Sequence, residues 1–122
     1  MSVSSWLRYI ILSVYFITIC ILFCLPGSAF PNESWMTKIA FDKWVHIGLF
    51  SGLCYVAAWA FALESKKGLL RVFLTAVLYG IAVELVQDRW IPNRSLDLGD
   101  WAADIVGSFL GIWIWNLRYI KK

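Results

Sequence analysis

The sequence predicts an all-α membrane protein, a single domain with four transmembrane helices in a compact bundle. Three observations lead to this fold class. Hydrophobic residues make up 61% of the 122 residues, which is more than a soluble globule of this size buries. The apolar stretches run for about 20 residues, enough to cross a hydrocarbon core of roughly 30 Å. Aromatic residues contribute 17%, including eight Trp, as expected for aromatic belts at two membrane interfaces.

The first helix is predicted at about residues 6–25, an apolar run with Arg8 as its only charged residue. Small residues at 27–29 resemble the cleavage site of a signal peptide. The apolar core of a signal peptide has about 7–15 residues, and this apolar run is longer. The positively charged region at its start consists of a single Arg. We therefore expect the helix to be retained and to span the membrane.

The second helix is predicted at about residues 41–63, after a loop rich in Pro, Gly and Asn. Asp42 lies at its N-terminus, where a negative charge complements the helix dipole. Residues 64–68 form a short turn, so the second and third helices must be adjacent and antiparallel.

The third helix is predicted at about residues 69–87 and the fourth at about 98–117. Pro92 separates them, because it lacks an N–H donor and pushes Ile91 out of the helical region. Asp97 or Asp100 can cap the fourth helix. All four helices belong to one domain covering residues 1–122.

The distribution of Lys and Arg predicts a multi-pass protein of the inner (cytoplasmic) membrane with both termini in the cytoplasm. With four helices the termini share one side, and that side holds seven of the 11 basic residues, which makes it the inside by the positive-inside rule. Those seven are Arg8, Lys66, Lys67, Arg71, Arg118, Lys121 and Lys122, and the other four are Lys38, Lys43, Arg89 and Arg94.

Membrane lipids are the expected partners, and nucleic acid is excluded. The formal net charge is only +3, and the basic residues form no stripe with interleaved exposed aromatics, the pattern of a nucleic-acid surface. Gly107 and Gly111 lie one helical turn apart and allow close helix packing. We expect this packing to be within the chain, and a homo-oligomer remains open.

Acidic residues gather at the predicted outer face, and ionisable groups in such an apolar protein indicate a functional site by default. His46, Glu84 and Asp104 lie on three different helices at a similar depth, so we expect them to converge. His46 and Glu84 are the candidates for proton exchange in catalysis. The candidates for ligand binding or for a structural clamp are Lys43, Gln87, Arg94, Asp97, Asp100 and Asp104.

Three interpretations of this site remain open from the residues alone. In the first, Arg94 pairs with carboxylates in a clamp that ties the loop to the helices. In the second, Arg94, Lys43 and the N-terminus of the fourth helix bind an anion such as a lipid-linked phosphate. In the third, the site binds a divalent metal ion, for which the ligand types are present, but their spacing is not diagnostic. No metal is therefore assigned, and no cofactor is indicated.

Two blocks of residues resemble the VanZ-like family, small membrane proteins named for a teicoplanin-resistance protein. One block is Asp42-Lys43-x-x-His46 followed by Phe50, and the other begins with Glu84-x-x-Gln87 and Pro92-x-Arg94. The second block continues with Asp97, Asp100, Asp104, Gly107 and Gly111. The sequence departs from the usual family pattern at Ile47, where an aromatic is common, and at Asp104, where Asn is common.

The resemblance implies a four-helix inner-membrane protein with its polar motif at the outer edge of the membrane. It also implies a link to glycopeptide (teicoplanin) antibiotic resistance or to the cell envelope. Two hypotheses follow. The protein binds an envelope component, such as a cell-wall precursor or a glycopeptide, or it is a membrane-embedded enzyme that acts on a lipid-linked, phosphate-bearing substrate.

Overall fold

The computed structural model describes residues 3–26 and 41–120, which form four α-helices and no strand. Within these residues, the prediction of an all-helical fold with four helices is therefore confirmed. Residues 27–40, where the sequence predicts a loop with a possible cleavage site at 27–29, lie outside the described residues, as do Lys121 and Lys122. The helices are α1 (Ser5–Phe23), α2 (Phe41–Ala60), α3 (Lys66–Trp90) and α4 (Leu98–Tyr119).

Helix α1 packs antiparallel to α2 on one side and leaves most of its other side chains exposed. The Tyr15 hydroxyl donates to the Leu49 carbonyl at 2.7 Å, and the Arg8 guanidinium donates to the Trp59 carbonyl at 3.2 Å. Only Ile19 and Phe23 are buried in this helix. Helix α1 is thus a peripheral element that is held to α2 by a few polar contacts and by its last turn.

Helices α2 and α4 run parallel in the closest packing of the bundle. A Cβ atom at Gly107 would overlap the carbonyl oxygen of Ile47, and one at Gly111 would overlap the carbonyl oxygen of Ser51. One turn further on, Trp115 packs edge-on against a ring of α2, Tyr55, with 5.5 Å between ring centroids. Because glycine has no side chain, the two backbones can approach this closely.

Two of the helix boundaries that differ from the prediction have clear local reasons. Helix α2 ends at Ala60 rather than near 63, because Ala62 adopts a φ of 50° and the Leu63 amide bonds back to the Ala58 carbonyl, a left-handed C-terminal closure. Helix α3 begins at Lys66 rather than 69, because the Ser65 side chain caps it by accepting from the Gly68 amide at 3.1 Å.

Helix α3 lies antiparallel to α4 and contacts it near Gly80. The Trp101 indole donates to the Val77 carbonyl at 3.0 Å, and a Cβ at Gly80 would meet Asp104 at about 3 Å. Between the two helices, Ile91 is extended, as expected for a residue that precedes a proline. Asp97 then caps α4 by accepting from the Gly99 amide at 2.8 Å.

Two of the four helices, Ser5–Phe23 and Lys66–Trp90, are long and apolar enough to cross a membrane. Large apolar side chains are exposed on α1, α3 and α4 as well, among them Val14, Leu78 and Phe109. These features favour association with a membrane.

The contact between α2 and α4 predicts a strong effect of adding a methyl group at Gly107. Gly107→Ala should lower the free energy of unfolding by about 1–3 kcal/mol, because the new Cβ forces the backbones apart. Unfolding in detergent, followed by Trp fluorescence, measures this. Gly48→Ala is the matched control, since its Cβ would meet nothing within 4 Å. Equal stability of the two variants would contradict the proposed packing constraint.

Candidate functional site

One end of the bundle carries a cluster of buried polar side chains. It is formed by the start of α2, the end of α3 and the start of α4, which meet because α2 and α4 are parallel and α3 is antiparallel to both. Burial of so many polar groups is costly unless they bond to one another. The buried polar side chains at this end are His46, Glu84, Gln87, Asp100 and Asp104.

The outermost part of this end, here called the rim cluster, consists of Asp42, Lys43, Asp97 and Asp100. The Lys43 ammonium lies 2.8 Å from an oxygen of Asp97, 2.8 Å from one of Asp100 and 3.0 Å from one of Asp42. The side chains of Asp42 and Asp97 are 60% and 43% exposed. Three carboxylates thus surround one ammonium, and the surface presented to solvent is negative.

Lys43 also affects the titration of the rim. The hydrogen bond from the Lys43 ammonium lowers the pKa of Asp97 below its ordinary value, and the positive charge of Lys43 acts in the same direction. Partial burial of Asp97 opposes this shift but does not cancel it. The amide hydrogen bond from Gly99 also lowers this pKa. Asp97 is therefore both the cap of α4 and a charged partner of α2, so it joins the two helices at their N-terminal ends.

Beneath the rim lies a second group, here called the buried triad, formed by His46, Glu84 and Asp104. His46 Nδ1 is 2.6 Å from Asp104 Oδ1, and the other ring nitrogen is 3.7 Å from Asp100. Glu84 Oε2 accepts from the Asp97 amide at 3.4 Å. The other carboxylate oxygens, Glu84 Oε1 and Asp104 Oδ2, are buried and have no hydrogen-bond partner among the described residues.

Gln87 and Arg94 lie beside the buried triad and contact the end of α1. The Gln87 amide donates to the Phe23 carbonyl at 2.9 Å, and Arg94 Nε donates to the Leu25 carbonyl at 3.3 Å. The last carbonyls of a helix lack intrahelical donors, so Gln87 satisfies the last carbonyl of α1, and Arg94 binds the turn that follows this helix. Asp88 similarly holds the α3–α4 loop by accepting from the Leu96 amide at 3.0 Å.

The structure therefore brings the candidate catalytic and binding residues to one end of the bundle. There they form three groups with different contact partners. The glycines Gly107 and Gly111 lie further along α4, against α2. Lys43, Asp97 and Asp100 form the rim, whereas Gln87 and Arg94 contact backbone carbonyls. His46, Glu84 and Asp104 form the buried triad.

Sequence reasoning missed three contributors to this end. Asp42 forms an ion pair with Lys43, and its position next to Lys43 at the start of a helix could have indicated this pair. The Phe23 ring stacks on the imidazole of His46 with centroids 5.0 Å apart, and the Ser108 hydroxyl donates to the Asp104 carbonyl at 2.7 Å. The Ser108 contact follows the usual bond of a helical Ser to the carbonyl four residues earlier, whereas no sequence pattern indicates the stacking of Phe23 on His46.

A large apolar groove lies in the other half of the molecule, between α1, α2 and α3. Its volume is about 630 Å³, and Leu12, Phe16, Cys54, Arg71 and Tyr79 are among its lining residues. None of the candidate site residues lines it. The groove and the polar end are separate features of the fold.

Comparison of the chain with protein-family models, with curated proteins and with solved structures gave no match.

The charge of Asp97 predicts a pH-dependent contribution to stability. Its pKa is lower in the folded protein, so ionised Asp97 stabilises the fold above its ordinary value of about 4, and this stabilisation is lost as the pH falls through the folded pKa. Asp97→Asn keeps a capping oxygen but removes the charge. The wild type should therefore be more stable than Asp97→Asn at pH 7, and the difference should shrink at pH 3.

Thermal unfolding at both pH values measures this difference. Glu64→Gln, which removes an exposed acid at the opposite end of the bundle, controls for the general effect of losing a negative charge. A difference that stays constant with pH would show that the charge of Asp97 does not stabilise the fold.

Proposed function

We propose that this chain is a four-span integral membrane protein of the VanZ-like type that binds an envelope component at its polar end. The proposed component carries a positive charge, such as the amino group of a cell-wall precursor or a glycopeptide. The observation that carries this proposal is the excess of exposed carboxylates over cations in the rim cluster.

Helix lengths and packing support four spans. Helices α2 and α4 contain 20 and 22 residues, or about 30 and 33 Å at 1.5 Å per residue, close to the thickness of a hydrocarbon core. Both pack alongside α3, which is long and apolar enough to span. Helix α4 exposes the large apolar side chains of Phe109, Trp113 and Leu117. These side chains would face water if the helix lay outside the membrane.

The distribution of charge supports cytoplasmic termini. Arg8, Lys66 and Arg118 lie at the end of the bundle opposite the rim cluster, since α1 and α3 begin there and α4 ends there. Basic residues favour the cytoplasmic side. This orientation puts the rim cluster at the outer face of the inner membrane, where envelope components are accessible.

The contacts of Lys43 favour a cationic ligand over a phosphate. An anion site needs donors that are available to the ligand, whereas the Lys43 ammonium is already bonded to three carboxylates within 3.0 Å. The exposed Asp42 and Asp97 carboxylates instead attract positive charge. The resemblance of the sequence to a family named for teicoplanin resistance agrees with a glycopeptide as one such ligand.

Binding of teicoplanin to the protein in lipid nanodiscs tests the proposal. We expect saturable binding that weakens about fivefold in Asp42→Asn, because this variant removes an exposed charge of the rim. Teicoplanin whose amine has been acetylated should also bind more weakly. Glu64→Gln at the opposite end should bind like the wild type. The absence of saturable binding would overturn the proposal. So would binding whose affinity is the same after Asp42→Asn and after acetylation of the teicoplanin amine.

The alternative is a membrane-embedded enzyme that acts on a lipid-linked phosphate. One observation favours it, the buried pairing of His46 with Asp104 next to Glu84, since an oriented imidazole beside carboxylates is suited to proton transfer. A candidate acid and base are thus present, but the Lys43 ammonium, one of the two cations expected to bind phosphate, is bonded to carboxylates.

Turnover of a polyprenyl diphosphate by the protein in nanodiscs tests the alternative. If the protein is an enzyme, His46→Ala and Glu84→Gln should each abolish phosphate release while the variants stay abundant in the membrane. If both variants disappear from the membrane, the same residues act as a structural clamp. Gly48→Ala, at a position without neighbouring atoms, is the control for expression and activity.

A further inference from the structure

We infer that the buried triad of His46, Glu84 and Asp104 binds a divalent transition-metal ion. One donor atom from each residue can be chosen so that all of them lie within 4.8 Å of one another. The three side chains come from three different helices and are 4%, 0% and 0% exposed. This inference does not depend on the ligand proposed for the rim cluster.

The unpartnered carboxylate oxygens point to an ion. Glu84 Oε1 and Asp104 Oδ2 are buried, and neither accepts a hydrogen bond within the described residues. A buried acceptor without a donor is costly, more so when it carries charge. An ion bound between these two carboxylates and the imidazole would satisfy both oxygens.

The charge of the triad also matches a divalent ion. In the form that binds a metal, with a neutral imidazole and two ionised carboxylates, the triad carries a net charge of −2, which an ion of charge +2 balances. Lys43 does not supply this balance directly, because its ammonium is bonded to the carboxylates of the rim. A single proton shared by His46 and Asp104 neutralises only half of the charge.

The donor types indicate the class of metal. Calcium and magnesium prefer sites made entirely of oxygen, whereas an imidazole nitrogen with carboxylate oxygens suits zinc and related transition metals. Three protein ligands would leave one position of a tetrahedral zinc ion for water or another molecule.

The geometry requires one change on binding. Ligand atoms around tetrahedral zinc stand about 3.4 Å apart for bonds of about 2.1 Å, so the 2.6 Å hydrogen bond between His46 and Asp104 must open. An ion held by the imidazole and by both oxygens of the Asp104 carboxylate takes the place of the proton in that bond, and binding releases any proton it displaces. The absence of a side chain at Gly80 lets the Asp104 carboxylate pack against α3, since a Cβ there would lie 3.0 Å from Oδ2.

The rim cluster is a weaker candidate for the same ion. Asp42, Asp97 and Asp100 also lie close enough together, but the Lys43 ammonium occupies the space between them at 2.8–3.0 Å. An ion bound there would have to displace that ammonium. The inference departs from the sequence-based expectation of no metal, because spacing along the chain does not reveal which groups meet in space.

Titration of chelator-treated protein with Zn²⁺ alone, followed by calorimetry, tests the inference. The protein is purified in detergent without a histidine tag, and the wild type should bind about one ion per chain at a saturable site. Glu84→Gln, which preserves the shape of the side chain, should weaken binding at least about tenfold. Asp42→Asn, which alters only the rim, should bind like the wild type.

A second measurement uses the single histidine of the chain. In protein labelled with ¹⁵N at histidine, Zn²⁺ should shift the NMR signals of the His46 ring nitrogens. This measurement uses the wild type, so it tests the inference even if Glu84→Gln does not fold. Absence of stoichiometric binding, or ring signals that do not move at saturation, would overturn the inference. So would binding lost in Asp42→Asn but retained in folded Glu84→Gln.

Discussion

The close parallel contact of α2 with α4 is the constraint on which the polar end depends. Gly107 and Gly111 let the backbone of α4 approach the carbonyls of Ile47 and Ser51, a distance that no residue with a Cβ allows. His46 precedes Ile47, and Asp104 lies one turn before Gly107. At this helix separation their side chains are within hydrogen-bond distance, so the packing of two glycines determines the geometry of the His46–Asp104 pair.

The polar end is stable because most of its buried groups have partners on another element. Lys43 joins α2 to α4, Glu84 accepts from the residue that caps α4, and Gln87 donates to the end of α1. Such pairs offset the cost of removing charged groups from water only when their geometry is good. The oxygens left without partners belong to the triad, which is why this part of the cluster is the most suited to a ligand.

Helix α1 has a different role from the other three. It buries little of its own surface, yet its C-terminal turn covers the polar end. The Phe23 ring stacks on His46, and the carbonyls of Phe23 and Leu25 accept from Gln87 and Arg94. The position of α1 is thus linked to the same residues that form the site, and a shift of its last turn would expose the imidazole.

The sequence by itself determined the four helices and the identity of the polar end. Pro92 separates α3 from α4 through a local steric effect, and Asp97 caps α4 through its own side chain. Tertiary structure decided which groups pair. Helical spacing puts Glu84 and Gln87 on one face, but it does not show that Gln87 binds a carbonyl of α1 or that Asp104 meets His46. These contacts depend on the separation and register of helices distant in sequence, which packing sets and local propensity does not.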